Sequence, residues 1–350
     1  MRTVLVALVV TAVAACEGSQ GPAGAPGKDG KDGTNGANGT NGTNGTNGKD
    51  GTNGTNGANV VDRVTLPGSA FFPESITVAS DGTLYVSSIA NGSVAKISPD
   101  RTKVTTFLPA QMAQPIGKTG MLLDEPKGRF WVCQIANDFS MASTLDRYDL
   151  ATGARAESHA LAMAGAACND LAIDAAGNLY VTDSFFGIER LASGAAATDA
   201  LTVWKVDPLY QPANQGAFAV DGIAIDGNDV YTNNLDKGIL VRTPIAADGS
   251  AGVPVAITGV SLAASDGIRR LGVNTLVVTE SSIDAISEVV INPAANTGVR
   301  TLLSNRLDRP SAIAVFANDV WVADGQINRL FGADKTPVNV PFLVERVPLN

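Results

Sequence analysis

The 350 residues carry 34 acidic side chains against 25 lysines and arginines, a net charge of −9. That balance offers no basic stripe to neutralise phosphates, and it argues against nucleic acid as a partner. A single histidine, His159, leaves a Ser-His-Asp triad, a histidine-built zinc site and a histidine-dependent lyase without support.

In chain order, residues 1–15 read as an export segment. Arg2 supplies the positive start, and Val4 to Val13 form an apolar run broken only by Thr11, too short to span a bilayer comfortably. The run ends in Val13-Ala14-Ala15-Cys16, which resembles the lipobox of bacterial lipoproteins. The resemblance implies a diacylglycerol on Cys16, each buried CH₂ contributing about 0.8 kcal/mol to a membrane tether. With Glu17 rather than Asp after the cysteine, it also implies an exported, lipid-anchored protein of the outer membrane or cell surface. The other reading is an ordinary signal peptide cut near Ala15, with Cys16 left as a free thiol. No second apolar stretch is long enough to cross a membrane.

Residues 16–59 hold the lipidation cysteine and a collagen-like stalk. Glycine recurs at every third position from Gly18 to Gly57, giving fourteen Gly-X-Y triplets through Asn59. Only glycine fits at the crowded axis of three polyproline-II-like chains. With Pro22 and Pro26 as its only prolines, the segment has two readings. It is a homotrimeric triple helix roughly 120–130 Å long at about 3.1 Å per residue, or a flexible single-chain tether.

Residues 60–350 carry six copies of one unit: a polar residue, an apolar strand, a turn, then an aromatic-rich strand. Glu74-Ser75-Ile76-Thr77-Val78, Asn169-Asp170-Leu171-Ala172-Ile173 and Asp221-Gly222-Ile223-Ala224-Ile225 are three starts; Thr119, Asp266 and Ser311 open the weaker copies. Successive starts are separated by 45, 50, 52, 45 and 45 residues. Short alternating strands returning at that interval predict an all-β fold, a six-bladed β-propeller. Val60–Leu66 is expected to close the last blade, with Phe342–Val347 as its competitor or in addition to it. Cys133 and Cys168 then fall near the same channel mouth, where a disulfide and two unpaired buried thiols are both open. His159 is expected on an outer strand facing solvent; Trp131, Trp204 and Trp321 are expected to pack between blades.

The topology also predicts two polar rings at one mouth. The inner ring is Glu74, Thr119, Asn169, Asp221, Asp266 and Ser311; the second is Ser88, Gln134, Asp183, Asn233, Glu280 and Asp324. Neither contains a lysine or arginine, so crowded carboxylates would draw a hard cation, Ca²⁺ before others. A water-filled, internally hydrogen-bonded channel is the plainer reading. Asp183 and Asp324 read more readily as strand-end turn residues than as catalytic groups.

Across residues 60–350 these repeats resemble the SMP-30/gluconolactonase/LRE-like propellers. The resemblance implies a metal held by Glu74, Asn169 and Asp221, with Asp221 also the candidate base of a Ca²⁺-dependent lactone or ester hydrolysis. Where that family often has an asparagine holding a sugar, blade two here reads Thr119-Gly120. The repeats are similar to NHL-type propellers too, which implies the alternative: a non-catalytic module binding a small molecule or protein at the channel mouth, displayed on the stalk.

Overall fold

Second strands such as Leu84-Tyr85-Val86 and Leu179-Tyr180-Val181 alternate large apolar and aromatic residues, a composition suited to a pleated surface covered on both faces. In the computed structural model, described over residues 62–111, 116–138, 140–214 and 216–349, these strands form six four-stranded antiparallel sheets. The export segment 1–15, Cys16 and the Gly-X-Y segment 16–59 lie outside the described residues.

The first strand, β1 (Arg63–Thr65), belongs to the last blade. Blade one is β2 (Pro73–Val78), β3 (Leu84–Ser88), β4 (Val94–Ile97) and β5 (Val104–Leu108). Blade two is β6 (Ile116–Asp124), β7 (Arg129–Ala136), β8 (Thr144–Asp149) and β9 (Arg155–Ala160). Blade three runs from β10 (Cys168–Ile173) through β11 (Leu179–Asp183) and β12 (Gly187–Leu191) to β13 (Thr202–Lys205). Blade four holds β14 (Val220–Asp226), β15 (Asp229–Asn234), β16 (Ile239–Pro244) and the short β17 (Val255–Ala256). Blade five holds β18 (Ile268–Gly272), β19 (Thr275–Glu280), β20 (Ala285–Asn292) and β21 (Thr297–Ser304).

Blade six takes β22 (Pro310–Phe316), β23 (Asp319–Asp324), β24 (Leu343–Pro348) and, outermost, β1. The two candidate closing segments are therefore both used. Leu343–Pro348 is the third strand, and Arg63–Thr65 pairs onto it in the register Arg63 to Glu345 and Thr65 to Leu343. Pairing the start of the described chain with its end leaves the ring without an open blade.

The core lies between blades. Val86, Val132, Val181, Val278 and Val322 of the second strands are fully buried, and Trp131 and Trp321 are buried with them. Trp204, on an outer strand, is only partly buried and meets the Tyr180 ring edge-on at 4.8 Å. His159 departs from expectation. It does sit on the outer strand β9, but at 1% exposure. The loop after β12 covers it: Asp199 O lies 2.7 Å from Nδ1, and Glu157 lies 3.2 Å from Nε2.

Cys133 of blade two and Cys168 of blade three are joined by a disulfide with a Cα–Cα distance of 5.3 Å, both sulfurs buried. The link closes a loop of 35 residues. Replacing both cysteines by alanine is expected to lower stability by about 3–4 kcal/mol through the unfolded chain's regained freedom. Equilibrium urea unfolding of the double variant beside the oxidised parent measures it.

Candidate functional site

Five of the six inner strands break register where the inner ring falls: between Pro73 and Ile76, Lys118 and Met121, Cys168 and Leu171, Val220 and Ile223, and Pro310 and Ala312. Such bulges re-aim side chains out of the regular alternation. Here they bring Glu74, Thr119, Asn169 and Asp221 to one cavity together with Asp266. The blades approach closely at this level. A Cβ on Gly120 would come within 2.4 Å of Asn169 O, and one on Gly222 within 2.5 Å of Asp266 O, so only glycine is accommodated there.

In the first five blades one residue near the end of the second strand ties its blade to the next, and in blade six Ser311 of the inner strand does so. Ser87 accepts from its own blade's Ser75 N–H (2.9 Å) and donates to Thr119 O (3.1 Å). Thr182 donates to Asp221 O (2.5 Å), Asn233 to Asp266 O (2.8 Å) and Thr279 to Ser311 O (3.4 Å). Cys133 holds the matching place in blade two, where the disulfide replaces the hydroxyl. The circuit closes as Ser311 donates to Pro73 O (3.0 Å).

The second predicted ring does not line the mouth. Asp183 accepts from Ala167 N–H (2.9 Å), Glu280 from Ala263 N–H (2.9 Å) and Asp324 from Asp308 N–H (3.1 Å), so these side chains anchor the loops that lead into their blades. Ser88 anchors its loop as a donor instead, giving its hydroxyl to Phe71 O, and Gln134 faces a different cavity. Asn233 is a link residue, and Asn234 is the loop anchor of its blade, donating to Leu209 O and Gln211 O. Side chains alternate along a strand, so the residue one step further on, Ile89, Ile135, Ser184 or Ser281, reaches the cavity instead.

One of these anchors carries a testable titration. Burial raises Asp324 to about 8, and the neighbouring Glu345 pushes the same way by charge and hydrogen bond. The folded protein keeps this proton up to about pH 8, whereas the unfolded chain releases it near the ordinary 3.8. Stability is therefore expected to fall as pH rises through that interval. Asp324→Asn should remove the slope and gain about 1–3 kcal/mol above pH 8. Melting curves of both proteins from pH 5 to pH 9 decide it.

The electrostatics of the inner ring are those of crowded acids. Burial pushes Glu74 well above the carboxylate range, and the charges of Asp221 and Asp170 add to it. Burial likewise raises Asp221 to about 7, against hydrogen bonds from Asp266 and Asn169 that lower it. Asp266 is raised well above its ordinary value by burial and then by Asp221 and Glu74. The cluster is not without a cation, however. Arg269, three residues past the ring, forms a two-pronged pair with Asp170 at 2.6 and 3.2 Å. It also borders a second cavity of about 340 Å³, lined by inner-strand residues such as Val78, Ile173 and Ile225 together with Glu125 and Arg270.

These residues suit a hard cation. Asp221 Oδ1 is buried without a hydrogen-bond partner. Asn169 commits its amide hydrogens to Ser184 (2.9 Å) and Asp221, which leaves its carbonyl oxygen to meet an ion. Among the described residues no three Asp, Glu, His or Cys side chains form a metal-holding group by themselves. An ion would rest on Glu74, Asp221 and the Asn169 carbonyl, completed by water.

The cavity has a volume of about 290 Å³, and part of its wall comes from a segment that repeat reasoning missed. Residues 325–342, between β23 and β24, carry the single-turn helix α1 (Ile327–Leu330) and bring Ile327, Asn328 and Phe331 to the mouth. Arg329 pairs with Asp308 (2.9 Å) and Arg309 with Asp334 (3.1 Å), fastening this strap across blade six. Its only sequence signal is the extra length between the last two strands.

Comparison with known proteins bears on both parts of the chain. Residues 14–61 match the collagen triple helix repeat (20 copies). We found no match among the curated proteins. Among solved structures, the chain is similar to a gluconolactonase from Xanthomonas campestris, with 15% identity and a TM-score of 0.56 over 82% of this chain and 89% of that one. It is similar to virginiamycin B lyase from Staphylococcus aureus, with 17% identity and a TM-score of 0.53 over 82% and 88%. It is also similar to the allergen Mala s 1 from Malassezia sympodialis, with 12% identity and a TM-score of 0.59 over 82% and 96%. Likenesses at this level define the class, a six-bladed β-propeller. They do not define an activity, since one fold hosts many.

Proposed function

We propose that this propeller holds a divalent cation, Ca²⁺ before others, at Glu74, Asn169 and Asp221 and hydrolyses a lactone or ester beside it. The observation that carries this reading is the convergence of those three residues on one cavity, with a buried oxygen of Asp221 left unpartnered. When bound, the ion polarises the substrate carbonyl. Asp221 takes a proton from the attacking water, while Asp266, which keeps its own proton and donates to Asp221, holds that carboxylate in place. The water oxygen bonds to the carbonyl carbon, the carbon–oxygen ring or ester bond breaks, and the proton passes to the leaving alkoxide.

The gluconolactonase likeness is in keeping with this chemistry. The lyase likeness points elsewhere. A catalytically inactive form of that lyase has alanine in place of a histidine, whereas the single histidine of this chain is buried on β9. On the same reading, Cys16 is lipidated and the Gly-X-Y segment displays the propeller from the cell envelope. Cys16→Ala should move the protein out of the membrane fraction, and deleting residues 18–59 should turn a trimer into a monomer by analytical ultracentrifugation if the Gly-X-Y segment forms a triple helix, and leave a monomer unchanged if it is a single-chain tether.

The first test is thermal unfolding of the full chain in EDTA, Ca²⁺ and Mg²⁺, followed by a lactone and ester screen. A ligand at about a hundred times its Kd stabilises by about 2.7 kcal/mol, so a Ca²⁺-dependent rise in Tm that Glu74→Ala loses is the expected result. No shift with any ion overturns the reading and leaves a binding propeller.

A further inference from the structure

From the cavity walls we infer that the substrate is an apolar-substituted lactone or ester, with an alkyl or aryl body, and not a polyhydroxylated sugar lactone. The inference rests on the hydrolase reading above and names its substrate class. Ile89, Ile135, Phe218, Leu235, Ile327 and Phe331 line the cavity that Glu74, Asn169 and Asp221 share. Phe331 is 47% exposed, which places it at the open end. Phe218 is braced by the Phe185 ring, stacked at 5.0 Å. The cavity thus joins a patch of oxygen donors to a wall of carbon, a shape for one carbonyl and one apolar body.

Several polar groups in the wall are already engaged, which leaves Asn328 and the inner ring itself to meet a polar substrate. Ser281 donates its hydroxyl to Ala264 O (2.9 Å), and Ser184 receives the Asn169 amide (2.9 Å). Arg309 is held by Ser281 O (3.2 Å), Ser282 O (3.1 Å) and Asp334 (3.1 Å). A sugar lactone brings several hydroxyls, and burying each against carbon without a partner is unfavourable. An alkyl chain gains from the same contact. Phe331 and Ile327 are therefore specificity residues, supplied by the strap of blade six.

The experiment measures kcat/KM of the full chain with Ca²⁺ for γ-butyrolactone, γ-hexalactone, γ-nonalactone and glucono-δ-lactone, beside Phe331→Ser. The expected result is a rise of about fourfold per buried methylene. Phe331→Ser should lower the γ-nonalactone value about tenfold and narrow the spread between lactones. If glucono-δ-lactone turns over as fast as γ-nonalactone, or tail length has no effect, this inference is overturned while cation-dependent hydrolysis stands. If no lactone turns over, the hydrolase reading fails, and calorimetric binding of the same lactones decides the ligand class. Binding of γ-nonalactone at least tenfold tighter than γ-butyrolactone, weakened by Phe331→Ser, supports it; equal or absent binding overturns it.

Discussion

Asp221→Ala is expected to abolish the Ca²⁺-dependent rise in Tm and to lower lactone hydrolysis by about 10²–10⁴-fold. Both effects follow from one position. Asp221 is 4% exposed and keeps an unpartnered Oδ1, and on the reading proposed above it serves both as the cation's carboxylate and as the group that takes the water's proton. Its neighbours give the variant a second signature. Asp221 is crowded by the charge of Asp170 and bonded to Asp266, and without an ion these acids destabilise one another. Removing one of them should therefore raise the Tm measured in EDTA while removing the gain on adding Ca²⁺. A variant that merely disturbs packing would lose stability under both conditions. Melting curves with and without the ion, beside initial rates on one lactone, separate the two. An unchanged Ca²⁺ response in Asp221→Ala would move the cation elsewhere.

Arg269→Ala is expected to be the most destabilising single change at the site, by about 3–5 kcal/mol in EDTA. Its guanidinium grips Asp170 through two contacts, and Asp170 is 5% exposed and also accepts from Ile223 N–H (3.3 Å). Removing the arginine leaves that carboxylate buried beside Glu74, Asp221 and Asp266 with no cation near it. The same argument predicts a partial rescue. A divalent ion in the cavity replaces some of the lost positive charge, so Ca²⁺ should restore more stability to Arg269→Ala than it adds to the parent. Urea unfolding of both proteins, with EDTA and with Ca²⁺, measures the difference. An equal response in the two would show that Arg269 and the ion act independently.

How far the site was legible follows from the range of the signals. The inner ring could be read because each blade repeats the same local pattern. A polar residue preceding an apolar strand marks Glu74, Asn169 and Asp221 without reference to any other blade. The second ring was misread because its test was a matter of one residue. The pattern places Asp183 and Glu280 at strand ends, but only the register of β11 and β19 against their neighbours turns them to the loops and Ser184 and Ser281 to the cavity. Asn233 fell into the wrong set for the same reason.

The sequence by itself determined the number of blades, the strands that build them and the acids at one mouth. These depend on alternation, turns and spacing, which act over a few residues. Tertiary structure alone decided what neutralises those acids and what surrounds them. The Asp170–Arg269 pair spans 99 residues, and the Ser311–Pro73 link that completes the circuit spans 238. Neither partner carries a local mark of the other. Closure by both β1 and β24, the loop over His159 and the strap that brings Phe331 to the mouth are of the same kind. Each is set by which surfaces the closed ring leaves uncovered, a quantity that exists only once all six blades are in place.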